Sequence, residues 1–302
     1  MYLLRDEKNI LNFDHHYHQL FLRQPRRSHG LPEYEVIAQF VDEPEPRRAL
    51  TIEILSFLRK YVFATREQIA RMLAYKGYQV QNLDAVLDEF AGKCYLNYFV
   101  LATKDETELS DDALRIYCLD TGALVLLSHF TALDCLSWFT TDVIRNGGLV
   151  IKYLATVNFI LRLYELKGEA VASVLPELDH YMGRRIVRFS AAVTVMNGFS
   201  PLDYLIDVVR EENLPEVWPR RCSEQLGAYF EGKRWNKMYN AMPTYILLCE
   251  NVDVGLRAAE RLAMQVEGLD IRVVLDNYTD GMENAVLAYD AEQGILTPVD
   301  EL

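Results

Sequence analysis

The strongest constraint on the fold lies in the second half of the chain, where apolar runs of strand length alternate with helical patterns. Ile186 to Met196 alternates like a strand and ends on Asn197-Gly198, a hairpin turn signal. Leu202 to Val209 reads as a second strand. Pro219 opens a helix through Tyr239, because proline is tolerated in a first turn that needs no backbone donor. Thr244 to Cys249 and Ile271 to Leu275 read as buried strands, and Val254 to Val266 between them carries the spacing of an amphipathic helix. Strand, helix, strand, helix, strand buries its apolar surface best as a layered α/β arrangement.

The first half is punctuated differently. Leu50, Ile54, Leu55, Leu58 and Val62 recur at helical spacing. Thr65 then reads as an N-cap, with Gln68 completing a capping box ahead of Ile69, Met72 and Leu73. Gly77 ends this second helix in a left-handed cap. Asn82 caps a third helix through Leu83, Val86, Leu87 and Phe90, which Gly92 ends. Tyr95 to Leu101 and Arg115 to Leu119 are rich in aromatic and branched residues, and the acidic stretch 104–112 divides them, so they predict a β-hairpin. Three helices and a hairpin predict a winged helix-turn-helix over 47–130. The fold class is therefore α/β (α+β overall).

Around these blocks the chain divides into a basic N-terminal segment and linker over 1–46, bridging helices over 131–180, and the α/β domain over 181–302. Val41-Asp42-Glu43-Pro44-Glu45-Pro46 is acidic and twice broken by proline, which reads as an exposed linker. The apolar stretch Leu149 to Tyr164 is interrupted by Lys152, Asn158 and Arg162 and falls short of the roughly 20 residues a membrane span needs. It reads as a core helix. The first eight residues become charged before an apolar signal region forms. Half of the 302 residues are hydrophobic and 25% are charged, the balance of a folded globular chain. The five cysteines form no CxxC pair, so reduced thiols in a cytoplasmic protein, with no membrane partner, are the expectation.

A net charge of −13 excludes a protein that coats nucleic acid indiscriminately, but not a local basic patch. Residues 47–104 hold nine Lys and Arg against five Asp and Glu. Arg47, Arg48, Arg66, Arg71 and Lys76 are the candidate phosphate contacts on double-stranded DNA. The third helix carries Asp84, Asp88 and Glu89, with only Lys93 at its end, and is expected to repel phosphates rather than read bases.

The run Phe63-Ala64-Thr65-Arg66-Glu67-Gln68-Ile69-Ala70 followed by Tyr117-Cys118-Leu119-Asp120-Thr121-Gly122 resembles the pattern of the replication-relaxation proteins of plasmids and conjugative elements. Val150 to Tyr164 resembles the helix that bridges to their second domain. The resemblance implies a restriction-endonuclease-like domain after the winged helix. Such a nuclease holds Mg²⁺ with an acid on one strand and an acid-x-Lys on the next. Here Ser190-Ala191 stands in the place of the first acid, and Asp207 is followed by Val208-Val209 instead of a lysine. The resemblance thus implies a degenerate, non-enzymatic nuclease-like scaffold with no metal or other cofactor.

Other constellations carry less. His15-His16-Tyr17-His18 is an ordinary polar segment more readily than a metal site. Cys222 lies one turn into the Pro219 helix beside Arg220 and Arg221, where dipole and cations are expected to lower its pKa, although no base accompanies it. In Lys233-Arg234-Trp235-Asn236-Lys237 the charges are expected to be solvated while Trp235 and Tyr239 face the core. The expected function is that of an accessory protein of a mobile genetic element, binding DNA modestly through the N-terminal segment and the second helix. The rival is an adaptor that pairs with itself or with another mobile-element protein and never touches DNA. A third reading is an active nuclease with rearranged acids among Asp203, Asp207, Glu211 and Glu212.

Overall fold

A computed structural model describes residues 18–22, 32–103, 114–131, 147–182, 185–276 and 286–299. The chain mixes helices with a four-stranded and a seven-stranded sheet, and it clusters into two compact units that meet in sequence between Val157 and Asn158. Among the described residues no helix is long and apolar enough to cross a membrane.

In the first unit β1 (His18–Leu22) and α1 (Glu33–Val41) precede α2 (Glu45–Tyr61). The 41–46 stretch is exposed apart from half-buried Glu43, but it is not all linker. Pro44 is the N-cap of α2, and Pro46 sits in its first turn, where a missing N–H costs nothing. The 1–46 segment also contains α1, whose Phe40 packs on Phe130 of α5 (Thr121–Phe130) with ring centroids 4.8 Å apart. Val62 ends α2 at a positive φ of 68°. β2 (Ala64–Thr65) leads straight into α3 (Arg66–Tyr75), and the Thr65–Gln68 capping box forms as its residues dictate. Gly77 takes φ 81°. The Asn82 side chain accepts from the Ala85 N–H and starts α4 (Leu83–Gly92).

β3 (Leu96–Thr103) and β4 (Arg115–Leu119) then pair antiparallel, and the sheet runs β1-β3-β4-β2. The hairpin tip at 104–113 lies outside the described residues. Fully buried Phe63 stands edge-on to Phe99 and to Tyr153 of α6 (Gly147–Lys167), each at 5.6 Å. Within the bridge expected over 131–180, residues 132–146 lie outside the described residues, Gly147–Lys167 is helical, and after a short 3₁₀ turn the chain becomes strand at Val171.

The second unit is built on a sheet of order β11-β10-β9-β8-β7-β6-β5. β5 (Val171–Met182), β6 (Arg185–Asn197) and β7 (Ser200–Val209) form an antiparallel meander, turned between β6 and β7 at Gly198 with φ 61°. β7, β8 (Thr244–Cys249) and β9 (Ile271–Leu275) are parallel. β10 (Val286–Asp290) and β11 (Ile295–Pro298) close the other edge antiparallel. Parallel neighbours need crossovers. The first runs through α7: α-helical Val217–Arg221, a π-helical turn at Cys222–Leu226 and α-helical Gly227–Glu231. It opens two residues before Pro219 and stops at Glu231, short of the expected Tyr239. The second crossover is α8 (Val252–Ala263), capped by Asn251. Phe189, Tyr229, Phe230 and Tyr245 meet edge to face in the core between these helices and the sheet.

Candidate functional site

The helices of the first unit bring the predicted phosphate contacts next to carboxylates. Arg66, at the first position of α3, makes two hydrogen bonds to Asp84 of α4, at 3.1 and 3.2 Å. Arg47 of α2 pairs with Glu89 and lies 4.9 Å over the Phe90 ring. Lys93 reaches both Glu43 and Glu89 at 2.7 Å. Arg115 of β4 pairs with Asp88 at 2.6 Å. Arg48 is bound by Glu45 and also donates to the Val41 carbonyl. Lys76 lies 3.6 Å from Glu53, and Arg71 is half-buried on α3. Acids of α4 are thus the counter-ions of two of the cations expected to meet DNA, Arg66 and Arg47, while Arg48 and Lys76 face acids of α2. The Glu89 carboxyl is held below its ordinary value: partial burial works against the charge, but Lys93 and Arg47 outweigh it.

In the second unit Asp207 is the centre of a closed network. The β6–β7 ladder ends at Ala191–Ile206. One residue further, an Asp207 oxygen accepts the Ser190 N–H at 3.3 Å and its hydroxyl at 3.2 Å. The other oxygen takes Arg221 Nε at 2.8 Å, with Arg221 Nη2 and the Tyr245 hydroxyl beside it. Arg221 is held in turn by Gln225 Oε1 at 2.8 Å and the Arg188 carbonyl at 2.6 Å. The Asp207 side chain is only 5% exposed. Burial opposes the Arg221 charge, yet the Asp207 carboxylate raises its pKa above the ordinary arginine value. Burial, together with Asp207, also keeps the Tyr245 phenol protonated. Both Asp207 oxygens are committed to protein donors.

Two other acids of the rearranged-nuclease reading, Asp203 and Glu211, have partners of their own. Asp203 accepts from Thr194 at 2.6 Å, and Glu211 pairs with Arg257. Four residues along a strand separate Asp203 from Asp207 by roughly 13 Å. Among the described residues no three His, Cys, Asp or Glu side chains are placed to hold a metal ion. His15, His16 and His29 lie outside the described residues, and of His18 only the backbone is described.

The lowered pKa expected for Cys222 is overturned. Its thiol is fully buried, and burial pushes it up to about 12 against the pull of Arg221 and Arg261. Tyr239 is buried and Trp235 packs at the margin of the same core. Sequence reasoning missed Arg221 and Tyr245 as partners of Asp207, and the buried pair of Arg210 with Asp276 at 2.7 Å. These contacts join separate strands and crossovers, so no local spacing announces them. No family model, no curated protein and no solved structure matches this chain.

Proposed function

We propose that this chain is a non-enzymatic interaction protein in which a winged helix, formed by α2, β2, α3, α4, β3 and β4, docks protein rather than DNA. The observation that carries the reading is the self-neutralised surface of α2, α3 and α4, where Asp84, Asp88 and Glu89 hold Arg66, Arg115 and Arg47. Phosphate binding draws its free energy from unpaired cations that displace counter-ions, and a cation already facing a carboxylate contributes less. The sequestered Asp207 supports the non-enzymatic half of the reading, because a metal ion would have to displace Arg221 and Tyr245 from it. We read such a protein as an accessory factor of a mobile genetic element on the sequence resemblance to replication-relaxation proteins alone.

A second reading, modest binding of duplex DNA through α3, is favoured by the exposure of the Arg66–Asp84 pair. Exposed ion pairs contribute only about 0–1 kcal/mol, so Arg66 can exchange Asp84 for a phosphate. Titration of duplex DNA across a salt series separates the two. The adaptor reading expects no salt-dependent binding by the wild type, and gain of binding when Asp84→Ala and Glu89→Ala release Arg66 and Arg47. Wild-type binding whose salt slope drops by about one unit per removed contact in Arg66→Ala and Arg71→Ala establishes DNA as the ligand instead.

A further inference from the structure

The turn that follows α7 gathers cations that no carboxylate neutralises. The helix stops at Glu231, and Lys233 takes a left-handed conformation with φ 48° and ψ 36°. A side chain with a Cβ disfavours that conformation, yet Gly232 beside it does not take it, having φ −71°. The chain is turned out of the helix into a single 3₁₀ turn, Arg234–Lys237. Side chains three apart eclipse in a 3₁₀ helix, and a rise of about 2 Å per residue sets them about 6 Å apart. Arg234 and Lys237 therefore share one edge of the turn, while Trp235 packs at the margin of the core. Lys233, Arg234 and Lys237 are all exposed. Among the described residues no carboxylate pairs with any of the three, although acids outnumber Lys and Arg by 44 to 31 in the chain. Arg188, Arg210, Arg221 and Arg257 of the same unit each face a carboxylate.

We infer that this turn docks a short acidic segment of a partner polypeptide, with carboxylates held between Arg234 and Lys237 and beside Lys233. Like charges three positions apart repel each other, and a carboxylate between them replaces that repulsion with attraction. Arg234 offers a planar fork that takes a carboxylate through two hydrogen bonds, and Lys237 adds a point charge. Nucleic acid is the other polyanion that cations attract. A duplex carries a charge about every 1.7 Å and gains its affinity over many contacts. A chain of net charge −13 repels such a polyanion wherever it runs beyond the turn. An acidic segment with a few carboxylates ends where the cations end. The surface belongs to the second unit alone, so the inference stands whether the first unit docks protein or DNA.

Fluorescence anisotropy of a labelled oligo-glutamate peptide titrated with the full chain tests the inference. The wild type is expected to bind it at roughly 100 µM protein, and less tightly as salt rises from about 50 to 200 mM. Arg234→Glu combined with Lys237→Glu is expected to weaken binding about ten-fold or more. The same double variant should gain binding to an oligo-lysine peptide, which a merely damaged fold would not give. Arg220→Gln removes an exposed cation outside the turn, 3.9 Å from Glu224, and is expected to leave the affinity unchanged. Both reversed positions are exposed, so an unchanged thermal midpoint confirms that the fold survives. A wild type that does not bind the peptide overturns the inference, as does binding indifferent to the double reversal. Duplex DNA that displaces the peptide from the wild type and fails to bind the double variant overturns it in favour of nucleic acid.

Discussion

Removing one partner of the Asp207–Arg221 pair leaves the other charge buried with no counter-ion, which costs about 3–5 kcal/mol. Because the Arg221 side chain keeps 18% of its surface in water, the lower end of that range is the expectation. Arg221→Met should therefore lower unfolding free energy by about 3 kcal/mol in urea titration, and adding Asp207→Asn should restore part of the loss. A single-variant loss below about 1 kcal/mol would show the pair to be effectively solvated. Cys222 gives a second residue-scale expectation. A thiol raised to about 12 is protonated at pH 8, and only the thiolate reacts. Iodoacetamide should leave Cys222 unmodified in the native protein and alkylate it in denaturant, as peptide mapping would reveal. Its neighbours Arg220 and Arg221 suggested the opposite, because adjacency in sequence reveals charge but not the depth of burial that outweighs it.

At the scale of elements, local chemistry was readable wherever a single turn decides it. The Thr65–Gln68 capping box, the Asn82 cap and the left-handed Gly77 all appear at the positions their residues dictate. Thr65→Ala should cost about 1 kcal/mol, read from denaturant unfolding, since one orphan N–H of α3 loses its acceptor. The strands β8 and β9 likewise end where their apolar runs end. The start of α2 was misjudged because proline breaks a helix only beyond its first turn, and Pro46 lies within it. Close packing between elements was not readable at all. A Cβ on Gly255 would stand 2.4 Å from a Val273 methyl, so α8 lies on β9 at a distance only glycine permits. Gly255→Ala is expected to lose about 1–3 kcal/mol by overpacking. Pairing it with Val273→Ala should recover part of that loss, and a double variant no better than the single would argue against the contact.

The whole molecule hides several acidic hydrogens from base. Burial raises Cys222 to about 12 and Tyr239 to about 12, and raises Tyr229, Tyr245 and Cys249 as well. In the unfolded chain thiols ionise near 9 and phenols near 10, so above pH 9 the unfolded state sheds protons that the folded state keeps. Stability should be unaffected by these groups between pH 7 and 9 and fall progressively towards pH 12. Urea unfolding across that range checks this, and Cys222→Ala should show a shallower fall than wild type. The sequence by itself determined the alternation of strand and helix, the capped helices of the first unit and the α/β layering of the second, because periodicity and end chemistry act over a few residues. Only the tertiary structure decided what the charges do. Asp84 meets Arg66 across 18 residues, and Arg221 meets Asp207 across 14. Whether a carboxylate repels a ligand, binds a metal or neutralises a neighbour depends on which groups the packed helices and strands bring within hydrogen-bond reach of it, and chain order does not encode that distance.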